Sequence, residues 1–397
     1  MSCAEDPSRA PGAGEVLMQD PSIKFLCDLV AIDSVNPSLV PGGAGEAAVA
    51  QAAAHRMRRS GLDVQIEDVV KGRPNVVGVL EGRSQGPTLM FCGHLDTVGV
   101  IGMTEPFNPV ERDGKLYGRG AQDMKGGLAA MISAAESIAN SGGLESGRLV
   151  VAGVIDEEFK SLGADALVKS WKADAAVITE PTDMVIGIGH KGYQWVEVET
   201  QGRAAHGSRP TEGRDAILRM GRVLARLESL SQQLQLKHAH PIVGRASLHA
   251  SLIEGGRELS TYPDHCSLQM ERRTIVGEPE DVALREVEEI LDSLRREDGE
   301  FEGTASMLFG QPPYETPPDH ALPQLLEDAM GRLGGRTNRS GMTFWTDAAI
   351  LGKAGIPTVI FGPGGAGLHG LDEHVIVAEV IICRDALIEL ARDFCSR

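Results

Sequence analysis

In "MFCGHLDTVGV", residues 90–100, an apolar run from Thr88 to Cys92 ends in Gly93 and is followed at once by His94 and, two places on, Asp96. Bounded by Pro87 and Gly93, the run reads as a short buried strand. Side chains two apart on an extended segment share a face, so Asp96 can hydrogen-bond one ring nitrogen of His94 while the other binds a metal ion. Further candidates stand in the same kind of place. Asp123 follows the glycine-rich "LYGRGAQ", Glu157 and Glu158 follow "VVAGVID", Glu180 follows "AVIT", and His369 follows "VIFGPGGAGL". In open α/β sheets ligands gather at the carboxyl edge of the strands, so residues this far apart in sequence can converge in one crevice. Taken singly, each keeps a plain structural reading: a solvated or hydrogen-bonded histidine at a strand end, a solvated acidic turn at "DEE".

Two imidazoles and three or four carboxylates suit Zn, Co or Mn better than calcium, which prefers oxygen shells, or a purely thiolate site. A pair of metal ions about 3.5–4 Å apart needs a bridging carboxylate. Asp123, short and set in a glycine-rich loop ahead of a helix, is the natural bridge. His94 and Glu180 then serve one ion, and His369 and Glu158 the other. Glu157 is left beside a ligand and free of metal, where it can take a proton from water and pass it to a leaving amine. A glycoside hydrolase built on Glu157 and Glu158 fails on geometry, because neighbours on an extended strand end point to opposite faces.

The elements that must position these groups are legible as strands alternating with helices from Ile23 to about Ile186. "RPNVVGVLEG", "PTLMFCGH", "RLVVAGVID" and "AAVITEP" read as strands of parallel βαβ units, and "LAAMISAAESIA" as a helix between them. The pattern changes near Gly187–Gly192. From about His190 to Phe309 the order is β-α-β-β-α-β, the ferredoxin-like split βαβ layout. The first type of pattern then resumes. The expectation is an α/β protein: a mixed, mainly parallel sheet in a discontinuous catalytic domain (21–189 and 310–397) with an inserted α+β domain (190–309).

The chain has 397 residues, 42% hydrophobic and 24% charged, enough for two domains with large cores. A formal net charge of −18 disfavours nucleic acid as a partner. Six cysteines, Cys3, Cys27, Cys92, Cys266, Cys383 and Cys395, form no C-x-x-C pair, which fits a reducing cytoplasm better than a disulfide framework. Residues 1–20 read as a flexible leader without an apolar signal core, and no stretch is long enough to span a bilayer.

"GHLDTV", "GRGAQDMKGG", "DEE", "TEP" and "GPGGAGLHGLDEHV", in this order and at fitting separations from about residue 23 to the end, resemble the motif series of the di-zinc aminoacylase and carboxypeptidase metallopeptidases of peptidase clan MH. That group includes acetylornithine deacetylase, succinyl-diaminopimelate desuccinylase, aminoacylase and glutamate carboxypeptidase. The resemblance implies two divalent ions per chain, zinc first and cobalt or manganese as alternatives. Their ligands would be His94, Asp123 as bridge, Glu158, Glu180 and His369, with Asp96 supporting His94, Glu157 as general base, and a cis peptide after Asp123. It also implies that the inserted domain is a lid carrying homodimerisation. His206 in "GRAAHGSRP" would reach the neighbouring subunit's site to hold an oxyanion, and Arg273 in "QMERR" would grip a substrate carboxylate. Many relatives have an asparagine where "RELSTYP" has Ser260, whose hydroxyl donates only one hydrogen bond. Phe344 and Trp345 in "MTFWTDAAI" fall near a segment that shapes the substrate pocket in relatives, which suggests a partly apolar pocket.

The function so implied is metal-dependent hydrolysis of an amide next to a free carboxylate, in the manner of an N-acyl-amino-acid deacylase resembling acetylornithine deacetylase. The alternative within the family is a carboxypeptidase or dipeptidase acting on a short peptide, and Glu180, where dipeptidases often carry aspartate, leans away from it. A non-catalytic binding homologue is the rival from another class, opposed by the full ligand set and an intact Glu157.

Overall fold

The computed structural model describes residues 17–397. Its contacts divide the chain into two units: one runs up to Ile188 and includes Thr316–Ser340 and Thr346–Arg397, the other comprises Gly189–Glu315 and Gly341–Trp345. Residues 1–16 of the expected leader lie outside the described residues. Asp20 caps the helix Pro21–Val30 through the Ser22 amide and pairs with Arg384 at 2.7 Å.

The first unit is built on a mixed sheet whose centre is parallel. Thr88–His94 lies between Arg148–Val154 and Ala175–Ile178, and Thr358–Ile360 adds beyond the latter, all pointing the same way. These strands are almost wholly buried runs of Val, Leu, Ile, Ala and Phe, as strands covered on both faces must be. The outer strands pair antiparallel. Asp63–Val70, which the sequence reading did not name, forms a hairpin with Arg73–Glu81, and Arg73–Glu81 runs antiparallel to Arg148–Val154. Asp63–Val70 and Arg73–Glu81 are joined by only Lys71 and Gly72, too few for a crossover helix, so "RPNVVGVLEG" is an antiparallel strand and not the parallel one expected. None of the residues of Asp63–Val70 is fully buried and its alternation breaks at Glu67–Asp68, beside an irregularity in the ladder, so it has neither an apolar run nor a sustained period of two.

Register sets the chemistry. His94 lies level with Val154, and Cys92 and Ile360 are both level with Ile178, so the segments following all four central strands emerge along one edge. The helix Gly126–Asn140, buried from Gly126 through Ala135, packs beneath them. Its start presses on the residue before Glu180: a Cβ at Gly127 would meet the Thr179 carbonyl at 1.8 Å, so only glycine fits. A small antiparallel sheet, ordered Gly365–Ala366, His374–Ile376, Lys115–Tyr117 and Val110–Arg112, sets the His369 loop beside the one carrying Asp123.

The second unit is a four-stranded antiparallel sheet in the order Ser247–Gly255, His265–Thr274, Gly192–Gln201, Glu302–Gln311. Helices Ala216–Leu236 and Val282–Glu297 bury Met220, Val223, Leu227, Val287 and Leu291 against Val196, Val198, Leu268 and Met270. The alternation in "YQWVEVETQ" is what gives the sheet one core face. The chain order is β-α-β-β-α-β. Gly341–Trp345 joins this unit, where Trp345 donates to the Pro312 carbonyl at 3.0 Å and stands edge-on to His190 and Tyr193. Among the described residues no helix is long and apolar enough to cross a membrane.

Candidate metal centre

His94 closes its strand with its ring buried. Nε2 lies 3.0 Å from Asp123 Oδ1 and 3.6 Å from Glu180 Oε1. On the other side of Asp123, Oδ2 lies 3.4 Å from His369 Nε2, which is 3.1 Å from Glu158 Oε2. The result is two triads, His94–Asp123–Glu180 and Asp123–Glu158–His369, each with its donor atoms within 4.8 Å of one another and with Asp123 common to both. His94 and Glu180 are buried, whereas the His369 side chain is 54% exposed on a loop where its own φ is +58°. The Asp123–Met124 peptide is cis.

Asp96 is placed differently from the expectation that its carboxylate holds His94. Nδ1 of His94 pairs with the Asp96 backbone carbonyl at 2.9 Å, while the nearest carboxylate oxygen is 3.6 Å away. The carboxylate turns instead to the "DEE" turn: Oδ1 accepts from the Glu157 amide and Oδ2 from the Glu158 amide, both at 3.2 Å, and Oδ2 also accepts from Asn36 Nδ2 at 2.8 Å. The turn at Asp156, with φ of +69°, points two successive amides at one acceptor, and these compete for the oxygens His94 would need. Asp96 therefore orients Glu157 and Glu158 through their backbone.

The charge balance of the site calls for cations. Burial disfavours protonated His94, but Glu180, Asp123, Asp96 and Glu157 outweigh it and push the imidazole well above its usual pKa. His369 is pushed to about 10, chiefly by hydrogen bonds to Asp123 and Glu158. Burial, with neighbouring Glu180, Asp347 and Glu158, holds the Glu157 carboxyl well above the carboxylate range, and burial with neighbouring Asp123 and Glu158 does the same at Glu180. Glu158 Oε1 is buried without a hydrogen-bond partner among the described residues, a lone pair left for a ligand. Mixed nitrogen and oxygen donors around a shared short carboxylate thus fit a pair of divalent transition-metal ions.

Glu157 is half-buried beside Glu158 and belongs to neither triad. His206, Ser260 and Arg273 lie in the second unit, and not together. The Gly207 amide donates to the Ser260 carbonyl at 2.7 Å, and His206 Nδ1 is 2.8 Å from Ser208 Oγ, all exposed. This pair sits beyond the His265 end of the His265–Thr274 strand, through Tyr262 bonded to Ala205. Arg273 is at the opposite end, roughly 27 Å along a strand of about 3.4 Å per residue. There its Nε is 2.8 Å from Glu271 Oε1 and its guanidinium lies 5.5 Å over the Tyr193 ring.

The sequence matches the family described as Peptidase family M20/M25/M40 over residues 90–393. The chain belongs to that family. Within it, the chain is 30% identical over 383 residues to acetylornithine deacetylase of Myxococcus xanthus, covering 94% of this chain and 97% of the relative. It is 29% identical over 369 residues to N-formyl-4-amino-5-aminomethyl-2-methylpyrimidine deformylase of Bacillus subtilis, covering 85% and 87%. The fold is shared with a dinuclear metal-binding M20 peptidase of Bacillus subtilis, at a TM-score of 0.73 and 16% identity over 94% of this chain and 98% of that one. This M20 chain is a metal-dependent amidohydrolase whose paired triads suit a two-ion centre.

Sequence reasoning missed the supports of the site. Asn36 also reaches Asp156, which with Glu46 holds the buried Arg73. Asp347, buried with Oδ1 unpartnered among the described residues, has its carboxyl raised to about 7 by burial. It lay inside the quoted "MTFWTDAAI", and its place after Thr346 at a helix start was the signal. Glu373, in the quoted "GLDEHV", is the third.

Proposed function

We propose that this chain removes the acyl group from an N-acyl amino acid, in the manner of acetylornithine deacetylase. What carries the reading is the pair of triads sharing Asp123 with Glu157 left uncommitted beside them, in a chain that matches a deacetylase along nearly its whole length. His94, Asp123 and Glu180 would hold one ion and Asp123, Glu158 and His369 the other, zinc first, with cobalt or manganese able to serve. Such ions, when bound, polarise a scissile carbonyl and acidify the attacking water. Glu157 takes that water's proton and delivers it to the departing amine, so the C–N bond breaks with a carboxylate and a protonated amine as products. Asp96 keeps Glu157 and Glu158 at their stations through their amides.

Arg273 grips the free carboxylate of the substrate and Phe344 with Trp345 shapes an apolar wall, while Ser260, which lies beside His206, adds its one hydrogen bond in the same site as His206. His206 stabilises the oxyanion in the site of a second copy of this chain, in a homodimer formed through the second unit. The full strand length between His206 and Arg273 supports that division. The free cysteines among the described residues, Cys27, Cys92, Cys266, Cys383 and Cys395, support a cytoplasmic setting.

The deformylase similarity favours a second reading, in which the amide carries no carboxylate. Metal analysis coupled to a hydrolysis screen separates them: two ions per chain, activity abolished by chelation and restored by Zn or Co, and preference for N-acetyl or N-succinyl amino acids over dipeptides and simple formamides. Full activity in metal-stripped protein refutes the site. Preference for dipeptides would make the chain a peptidase, and preference for formamides a deformylase.

A further inference from the structure

Glu373 is 1% exposed, and its carboxylate is surrounded by donors from the segment that carries Asp123. Oε1 accepts from the amides of Gln122 at 2.9 Å and Asp123 at 3.1 Å. Oε2 accepts from the amide of Gly120 at 3.1 Å and from Arg119 Nη1 at 2.5 Å. Gly120, at φ of +79°, lets the backbone turn its N–H inward beside the other two. Arg119 in turn spans to the other loop, its Nη2 donating to the carbonyl of Gly370, the residue after His369, at 3.0 Å, and its Nε to Gly99 at 3.2 Å. The Gly118 amide donates to the Glu373 carbonyl at 3.1 Å. One buried carboxylate and one guanidinium therefore tie the Asp123 segment to the His369 loop.

We propose that Glu373, with Arg119, is the positioning residue of the two-ion centre, and that it governs chiefly the ion held by Asp123, Glu158 and His369. The inference rests on the proposed use of the two triads. Its selectivity follows from what each triad shares with the clamp. The His94 triad keeps two buried ligands, His94 and Glu180, that Glu373 does not touch. The other keeps only Glu158, because Asp123 hangs from the clamp by its amide and exposed His369 is next to Gly370. Hydrogen-bonding partners behind metal ligands are worth about 10–100-fold in metal affinity.

The test is Glu373→Gln, which preserves shape but turns an amide NH₂ toward donors. After equilibrium dialysis against a series of free zinc concentrations, wild type is expected to hold two ions per chain. The variant is expected to hold one at the same concentrations and to gain the second only at ~10-fold or more higher zinc, with a changed Co(II) absorption spectrum. Hydrolysis should return as the second ion is restored, and the metal-free variant should still unfold in one cooperative transition, at a Tm lowered by the broken buried pair. Two ions bound as tightly as in wild type would overturn the proposal. So would equal loss of both ions. If Glu373→Gln does not fold, Arg119→Lys, which leaves the carboxylate and shortens the reach to Gly370, should show the same selective loss, and wild-type binding of both ions in that variant would overturn it. Wild type that never holds two ions would refute the reading of the triads before any variant is compared.

Discussion

Replacing Arg273 with lysine tests substrate recognition at its most exposed point. In the free chain Glu271 engages Nε at 2.8 Å, and Trp195 Nε1 fixes that glutamate by donating to its other oxygen at 2.9 Å, so the guanidinium is held by one edge over Tyr193. A guanidinium can keep such an anchor and still meet a carboxylate with two parallel N–H groups, whereas the single ammonium of lysine cannot do both. The loss is about one charge-assisted hydrogen bond, roughly 1.5–3 kcal/mol, which is about 10- to 150-fold in kcat/KM. The assay is steady-state hydrolysis of an N-acetyl amino acid and of its C-terminal amide, by both proteins, with metal content measured alongside. Arg273→Lys should lose that factor on the acid and much less on the amide, with both ions still bound. If wild type cleaves acid and amide equally well, or if the variant loses both to the same extent, Arg273 does not grip a carboxylate, and the deformylase-like reading gains.

Glu157→Gln keeps the shape of the side chain and removes the proton acceptor, so kcat should fall by ~100-fold or more with two ions still bound; loss of an ion would instead make Glu157 a ligand. His190 is fully buried, its Nδ1 paired with the Lys191 carbonyl at 2.9 Å, and burial with nearby Arg273 lowers its pKa to about 4. Because its pKa is lower folded than the ~6.5 of the unfolded chain, its contribution to stability is whole above that value and is lost as pH falls toward 4, about 2 kcal/mol of it by pH 5. Denaturant unfolding of metal-free wild type and His190→Phe at pH 7.5 and pH 5 should show the difference between them shrinking or reversing by that amount, and a difference independent of pH would refute the assignment. For the assembly, neither Glu157→Gln nor His206→Ala should be active alone, yet a statistical mixture of the two should recover about a quarter of wild-type activity, since half the dimers are mixed and each has one complete site. No recovery, or a fully active monomer in sedimentation, would remove His206 from the partner's site.

His94, Glu180 and the "DEE" turn could be picked out from the sequence because each follows an uninterrupted apolar run, and burial of a central strand on both faces writes that run into the residues themselves. The ferredoxin-like order of the second unit was legible for a related reason, since period-2 alternation in "YQWVEVETQ" and helical spacing in "DVALREVEEILDSLRRE" are local properties. The hairpin strand Asp63–Val70 was not legible, because it has no apolar run and its alternation fails at Glu67–Asp68.

The sequence thus determined which residue types were available for chemistry and that most of them stand at strand ends. Whether His94, Asp123 and Glu180 come within one ion's reach depended on the register that sets His94 level with Val154 and Cys92 level with Ile178, a property of pairs of strands far apart in the chain. Only tertiary structure could give Asp96 its partners, since the amides of Glu157 and Glu158 arrive from another strand and displace the nearby imidazole as its hydrogen-bond donors. The same holds for Glu373, which looks like one more loop carboxylate until the chain closes and three backbone amides some 250 residues earlier converge on it. Hydrogen-bond partners of this kind are selected by distance in space, and backbone amides are the same in every sequence, so no pattern of side chains announces them.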